Sequence, residues 1–159
     1  MLSERGRIRP QDPRYLWFRL NGYIPVMNAM PVIETLRVYF ESAPESLCAS
    51  YLFGSVARGE PNPDSDIDVA ILMNETADAS THELAERVED DLDALLGVPV
   101  QVVVLNRAPV DLIHRVLRDG ELLLDRNRAR RIAFEVAARR EYLDLRPVLL
   151  EYRRFPAAR

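Results

Sequence analysis

Hydrophobic and polar positions first become periodic at Pro31. Val32, Ile33, Leu36, Val38, Tyr39 and Phe40 recur at helical spacing until Ala43-Pro44 ends the run. Proline at a first helical position loses no hydrogen bond, so Pro31 is placed to open this helix. The apolar run Leu47 to Phe53 reads as a strand that turns at Gly54-Ser55. EPNPDS, residues 60–65, is turn material and leads into a second strand. There Ile67, Val69 and Ile71 alternate with Asp66, Asp68 and Ala70, and alternate strand residues share a face. Ser80 with Glu83 three residues on forms a capping box, and Leu84, Val88, Leu92 and Leu95 then repeat along a helix that Gly97 stops. VPVQVVVL, residues 98–105, is too short and too β-branched for a helix. It reads as a central strand, apolar on both faces, with Gln101 as its one polar residue. Pro109 opens a helix with Leu112, Ile113, Val116 and Leu117 inward and Gly120 at its close. ELLLD follows as a short strand, and the segment from Arg128 to about Tyr152 is helical, with Pro147 expected to break or kink it.

These elements predict an α/β fold: a small sheet with flanking helices, then a C-terminal helical segment. Residues 30–125 form one domain and 126–159 the helical segment. Residues 1–29 are basic, rich in Pro and Gly, and without a sustained period. They read as a poorly structured arm, or as an upstream extension ahead of a start at Met27 or Met30.

Composition narrows the functional classes. A chain of 159 residues, 48% hydrophobic and 29% charged, suits a single folded domain with its own core. Its net charge of -4 argues against a general nucleic-acid surface, which carries a basic excess. Charge is unevenly spread, however: ten arginines face four acids from Arg126 onward, a bias that suits a charged partner or a solvated helix face. There is no lysine, which excludes a phosphate-loop lysine and Schiff-base chemistry. The single cysteine, Cys48, lies in the apolar run LCASYLF and is expected to be a buried thiol. The N-terminus has no apolar signal region, and no apolar stretch approaches the ~20 residues of a membrane span, so a cytoplasmic protein without membrane contact is expected.

Candidate chemistry gathers between residues 54 and 68. Two carboxylates on one strand face, Asp66 and Asp68, repel each other and raise one another's pKa unless a cation neutralises them. A glycine directly after a strand lets a phosphate approach the backbone, and the adjacent Ser55 offers a hydroxyl and an N–H at a helix start. Ten residues separate Ser55 from Asp66, enough for one helical turn and a return loop. Arg58 is placed to reach a phosphate or to stand in solvent. His82 and His114 have no partner at metal-ligand spacing and read as cap or surface residues. Tyr142, Tyr152 and Phe155 are open between core and partner-facing roles.

With Gly54-Ser55, ten residues, Asp66, any residue and Asp68, the chain resembles the minimal nucleotidyltransferases of the DNA polymerase β superfamily. Ala57-Arg58-Gly59 and Ser65 match the commoner fill-in residues of that signature. The resemblance covers residues 31–125. LNRAPVDLIHRVLRDGELL and the ending ARREYLDLRPVLLEYRR resemble a narrower group, the MNT adenylyltransferase antitoxins paired with HEPT-type toxins. It implies Mg²⁺ on Asp66 and Asp68, a nucleotide on Gly54, Ser55 and Arg58, and ATP as the AMP donor. It also implies a toxin tyrosine as acceptor and a hetero-oligomer with that toxin. In this superfamily a third carboxylate on a neighbouring strand completes the metal site and helps activate the nucleophile. That position falls at Gln101, whose neutral amide can offer a carbonyl oxygen but cannot act as a base near pH 7. Two other readings remain at this level: a catalytically impaired module that neutralises the toxin by contact, and a small-molecule nucleotidyltransferase, which would need an additional substrate-binding domain.

Overall fold

A computed structural model describes residues 29–60, 66–75 and 79–154, without the side chains of 29–31, 79 and 148–154. Residues 1–28, most of the arm or extension read from the sequence, lie outside this set. Helix α1 (Ala29–Glu41) leads into β1 (Leu47–Phe53), and a single helical turn, α2 (Gly54–Ala57), follows at once. Then come β2 (Ile67–Met73), α3 (Ala79–Leu96), β3 (Val100–Val104), a 3-10 turn (Leu105–Arg107), α4 (Val110–Asp119), β4 (Glu121–Asp125) and α5 (Arg128–Arg154). The sheet order is β3-β2-β1-β4; β2 and β3 run parallel, and β1 is antiparallel to both of its neighbours. A parallel pair needs a crossover, and α3 supplies it between β2 and β3.

Every residue of β1 is buried because both sheet faces are covered. On one face Leu47 and Leu52 join Val32, Leu36 and Phe40 of α1 and Val88 and Leu92 of α3. On the other, Cys48, Tyr51 and Phe53 join Ile113 and Val116 of α4 and Ala138 of α5. Burying a Leu or Phe side chain contributes roughly 1.5–3 kcal/mol. Truncating Phe40, which is fully buried, to Ala removes about 3–5 kcal/mol. Cys48 is a buried free thiol, as its apolar context predicts.

Two sequence expectations are corrected here, and one half of a third is excluded. β3 is an edge strand, not a central one. Its outward amides are covered by a helix instead of another strand: Val100 N–H donates to Asp93 Oδ1 at 2.6 Å and Val102 N–H to Glu89 Oε2 at 3.1 Å, both carboxylates on α3. Such cover protects an edge from pairing with another chain. α3 begins at Ala79, so Ser80 lies within its first turn and does not cap it. α5 runs through Pro147 without ending there. Proline removes the amide that would bond the Leu143 carbonyl, but both residues are exposed, where water can replace the lost donor.

α5 is fastened to the sheet by polar contacts. Arg131 bonds Asp125 Oδ2 of β4 at 2.7 Å and Glu135 Oε1 at 2.6 Å, and the Tyr51 hydroxyl donates to the same Glu135 oxygen at 3.0 Å. Among the described residues no helix is long and apolar enough to cross a membrane.

Candidate active site

The site forms where β1 ends. Past Phe53 the chain turns at Gly54 with φ +76, a conformation that side chains with a Cβ rarely adopt. Space forbids a side chain as well: a Cβ there would strike Oδ2 of Asp68 and lie 2.9 Å from its Cγ. The missing side chain thus lets a carboxylate from β2 rest against the backbone that starts α2. Register explains the meeting, since Phe53 of β1 stands opposite Asp68. On its other side Asp68 stands opposite Gln101 of β3 in the parallel pairing, so the amide neighbours the carboxylate.

Asp66 precedes β2 and is exposed, whereas Asp68 is half-buried. Between them Ile67 N–H donates to the Pro99 carbonyl at 2.9 Å, which fixes the start of β2 against the segment leading to β3. Burial pushes the Asp68 carboxyl above the usual carboxylate range, and the negative charge of Asp66 adds to the shift. The guanidinium groups of Arg58 and Arg115 act against it. Arg58 follows α2; its amide donates to the Gly54 carbonyl at 3.3 Å, and its Nε lies 3.5 Å from Glu60 Oε2. Ser55 lies in α2, where its carbonyl accepts the Glu60 amide at 3.0 Å.

The structure therefore brings Gly54, Ser55, Arg58, Asp66, Asp68 and Gln101 to one end of the sheet. It sends the histidines elsewhere. His82 faces Glu86 one helical turn on, 3.2 Å away on an exposed side of α3, and His114 stacks on Tyr142 with ring centroids 3.6 Å apart. Tyr142 thus has a contact within the fold, while the side chains of Tyr152 and Phe155 lie outside the described residues. Arg115 is the addition that sequence reading missed. It carries no local motif and nears Asp68 only because α4 packs beside α2.

Oxygen donors of this kind suit a hard divalent cation. Mg²⁺ is usually held by one or two carboxylates together with substrate phosphates, so two aspartates beside an open glycine turn fit it. Among the described residues no group of three or more His, Cys, Asp or Glu converges that could hold a metal by itself.

Comparison with known proteins identifies the family. Residues 34–129 match the family described as Polymerase beta, Nucleotidyltransferase. The protein adenylyltransferase MntA of Shewanella oneidensis is 34% identical over 98 residues, which are 61% of this chain and 65% of the relative, just under two thirds of its length. A chain in the crystal structure of a toxin-antitoxin with AMP-PNP superposes with a TM-score of 0.57 at 26% identity, covering 79% of this chain and 95% of that one. A chain in the structure of tri-AMPylated Shewanella oneidensis HEPN toxin in complex with MNT antitoxin gives a TM-score of 0.54 at 26% identity, covering 80% and 97%. The family match spans more than half of the sequence and contains both the glycine-serine turn and the two aspartates, and the chain belongs to the polymerase beta nucleotidyltransferase family.

Proposed function

We propose that this protein is an adenylyltransferase antitoxin that transfers AMP from ATP to a tyrosine of a HEPT-type toxin. The observation that carries the reading is the contact of Asp68 with the backbone of Gly54, which sets a carboxylate beside a turn able to receive phosphates. The likeness to MntA and to chains of toxin-antitoxin complexes supports the partner and the nucleotide.

In this scheme Gly54 and Ser55 cradle the phosphates and Arg58 adds positive charge to them. Asp66 and Asp68 are the residues that would hold Mg²⁺, which when bound neutralises phosphate oxygens and the charge that develops on the departing pyrophosphate. Burial and Asp66 make an uncompensated charge on Asp68 unfavourable, so the pair favours a cation. The toxin's phenolic oxygen forms a bond to the α-phosphorus, the bond from that phosphorus to the bridging oxygen breaks, and pyrophosphate leaves. The phenolic proton has to go elsewhere than Gln101, because an amide has no basic lone pair near neutral pH. Loss of a general base lowers a rate by roughly 10² to 10⁴, so we infer a slow enzyme.

One observation favours a second reading. Gln101 stands directly beside Asp68, and among the described residues no third acid joins the pair. That favours neutralisation of the toxin by contact alone. Mass spectrometry of purified toxin after incubation with this protein, ATP and Mg²⁺ separates the two. Addition of AMP to a toxin tyrosine is expected; toxin that is inhibited yet unmodified would replace the enzyme with the contact inhibitor.

A further inference from the structure

Arg115 is a cation near this site with no ion-pair partner among the described residues. Arg118 on the same helix bonds Asp119 through Nε and Nη2 at 2.7 and 2.6 Å, and Arg58 after α2 nears Glu60. Among the described residues no carboxylate lies within ion-pair distance of Arg115, which is exposed. Its helix is nevertheless fixed against the site. α4 packs on α2, and it ends at Gly120, where a Cβ would lie 3.2 Å from the carbonyl of Leu52, two residues before Gly54. The next residue, Glu121, stands opposite Leu52 in the β1–β4 pairing. This packing and the strand pairing that follows hold the last turn of α4 at the end of β1 where the glycine turn begins. From there the Arg115 guanidinium exerts its charge on Asp68 without pairing with it.

We propose that Arg115 is a phosphate-binding residue of the nucleotide site, acting with Arg58 on the polyphosphate of ATP. The inference rests on the reading of this site as one for Mg²⁺ and ATP. A triphosphate carries more charge than two aspartate-held positive charges cancel, and the protein has no lysine to supply the remainder. A planar guanidinium presents donors in a fork that matches two phosphate oxygens at once. A guanidinium left unpaired beside the acidic pair meets that need, whereas one whose only role was to temper Asp68 would serve a mononucleotide as well as a triphosphate.

Calorimetry on the full chain tests this by comparing ATP with AMP, each with Mg²⁺. Hydrogen bonds to charged groups imply that Arg115→Ala weakens ATP about ten- to a hundredfold while AMP changes by less than about threefold. Arg115→Lys should recover part of the loss, since it restores the charge but not the fork. Arg140→Ala, which removes one positive charge from an exposed position on α5, should leave both affinities unchanged. Should Arg115→Ala unfold, Arg115→Gln keeps the stem without the charge and decides the case by the same comparison. Unchanged ATP affinity in the variant, or equal losses for ATP and AMP, overturns the assignment of Arg115. A wild-type protein that binds no ATP with Mg²⁺ overturns the nucleotide-site reading itself, and the inference falls with it.

Discussion

Gly54 and Asp68 share one space: a Cβ on residue 54 would lie 2.9 Å from Cγ of Asp68. The strand register that sets Phe53 opposite Asp68 forces the meeting, and the absent side chain permits it. Fold and chemistry therefore depend on the same residue.

Gly54→Ala should impair both. Backbone strain at φ +76 costs about 1–2 kcal/mol, and the methyl must also displace the carboxylate. Denaturant unfolding is expected to show a lower midpoint, and calorimetry a loss of Mg²⁺-dependent ATP binding. A variant with wild-type midpoint and affinity would show that the turn adjusts freely.

Exchanging Asp66 and Asp68 together for Asn should abolish Mg²⁺-dependent ATP binding, and metal-dependent affinity that survives in the double variant argues against the site. Asp68→Asn alone has a second expected effect. Its carboxyl is held above the ordinary range, mainly by burial and then by Asp66, so the folded state takes up a proton more readily than the unfolded chain. Without metal the penalty is complete above the folded pKa and disappears as pH falls toward the unfolded value of about 3.9. Asp68→Asn should therefore melt above wild type in chelator at pH 7, and the gap should close in acid.

Much of this site was legible in the sequence because it is local. A buried strand, Leu47–Phe53, runs straight into Gly54-Ser55, and the spacing to Asp66 leaves room only for one turn and a loop. The two aspartates were found through their alternation with Ile67 and Val69, although Asp66 itself stands just ahead of β2. Position within the sheet was less legible. β3 carries four valines in a row of five and reads as central, yet its outer amides are covered by Asp93 and Glu89, whose role depends on how α3 lies over it. Arg115 was hidden for a related reason: packing of α4 on α2, not spacing along the chain, brings it to Asp68.

The ion pair between Asp125 and Arg131, 2.7 Å apart, sets a pH dependence of the opposite sign. The hydrogen bond from Arg131 holds the Asp125 carboxyl below the usual range, despite an opposing effect of burial. Its contribution is present above the unfolded carboxylate value of about 3.9 and is lost as pH falls through the lower folded value. Asp125→Asn should lower the melting temperature at pH 7 and have progressively less effect as pH falls below about 4, until under the lowered folded value both proteins carry a neutral side chain. A difference that persists unchanged in acid would assign the effect to packing instead of charge.

α5 exposes Val136 at 61% and Leu143 at 62%, apolar side chains on a helix rich in arginine. Under the proposed function this surface contacts the toxin, for which apolar centres with arginine nearby are suited. Val136→Asp with Leu143→Asp should weaken toxin binding while leaving the melting temperature and the affinity for ATP near wild type. Undiminished toxin binding would move the interface to another part of the chain.

Gln101 decides between an enzyme and a contact inhibitor. It faces Asp68 across a parallel strand pair and is exposed, so a change there does not disturb the core. Aspartate at this position would add an anionic oxygen beside Asp66 and Asp68 and a group able to accept a proton, neither of which the amide provides. Gln101→Asp should therefore raise AMP transfer to the toxin, by up to the roughly 10² to 10⁴ that a general base contributes. The same change should lower stability in chelator, because a third carboxylate adds repulsion to an already unfavourable charge on Asp68, and Mg²⁺ should restore part of the loss. Wild type and variant can be compared by the rate at which intact toxin gains AMP in a mass spectrum. Rapid transfer by wild type with no gain in the variant would mean that the proton leaves by another route, such as a group on the toxin. Absence of transfer by either protein, with toxin still inhibited, would establish inhibition by contact.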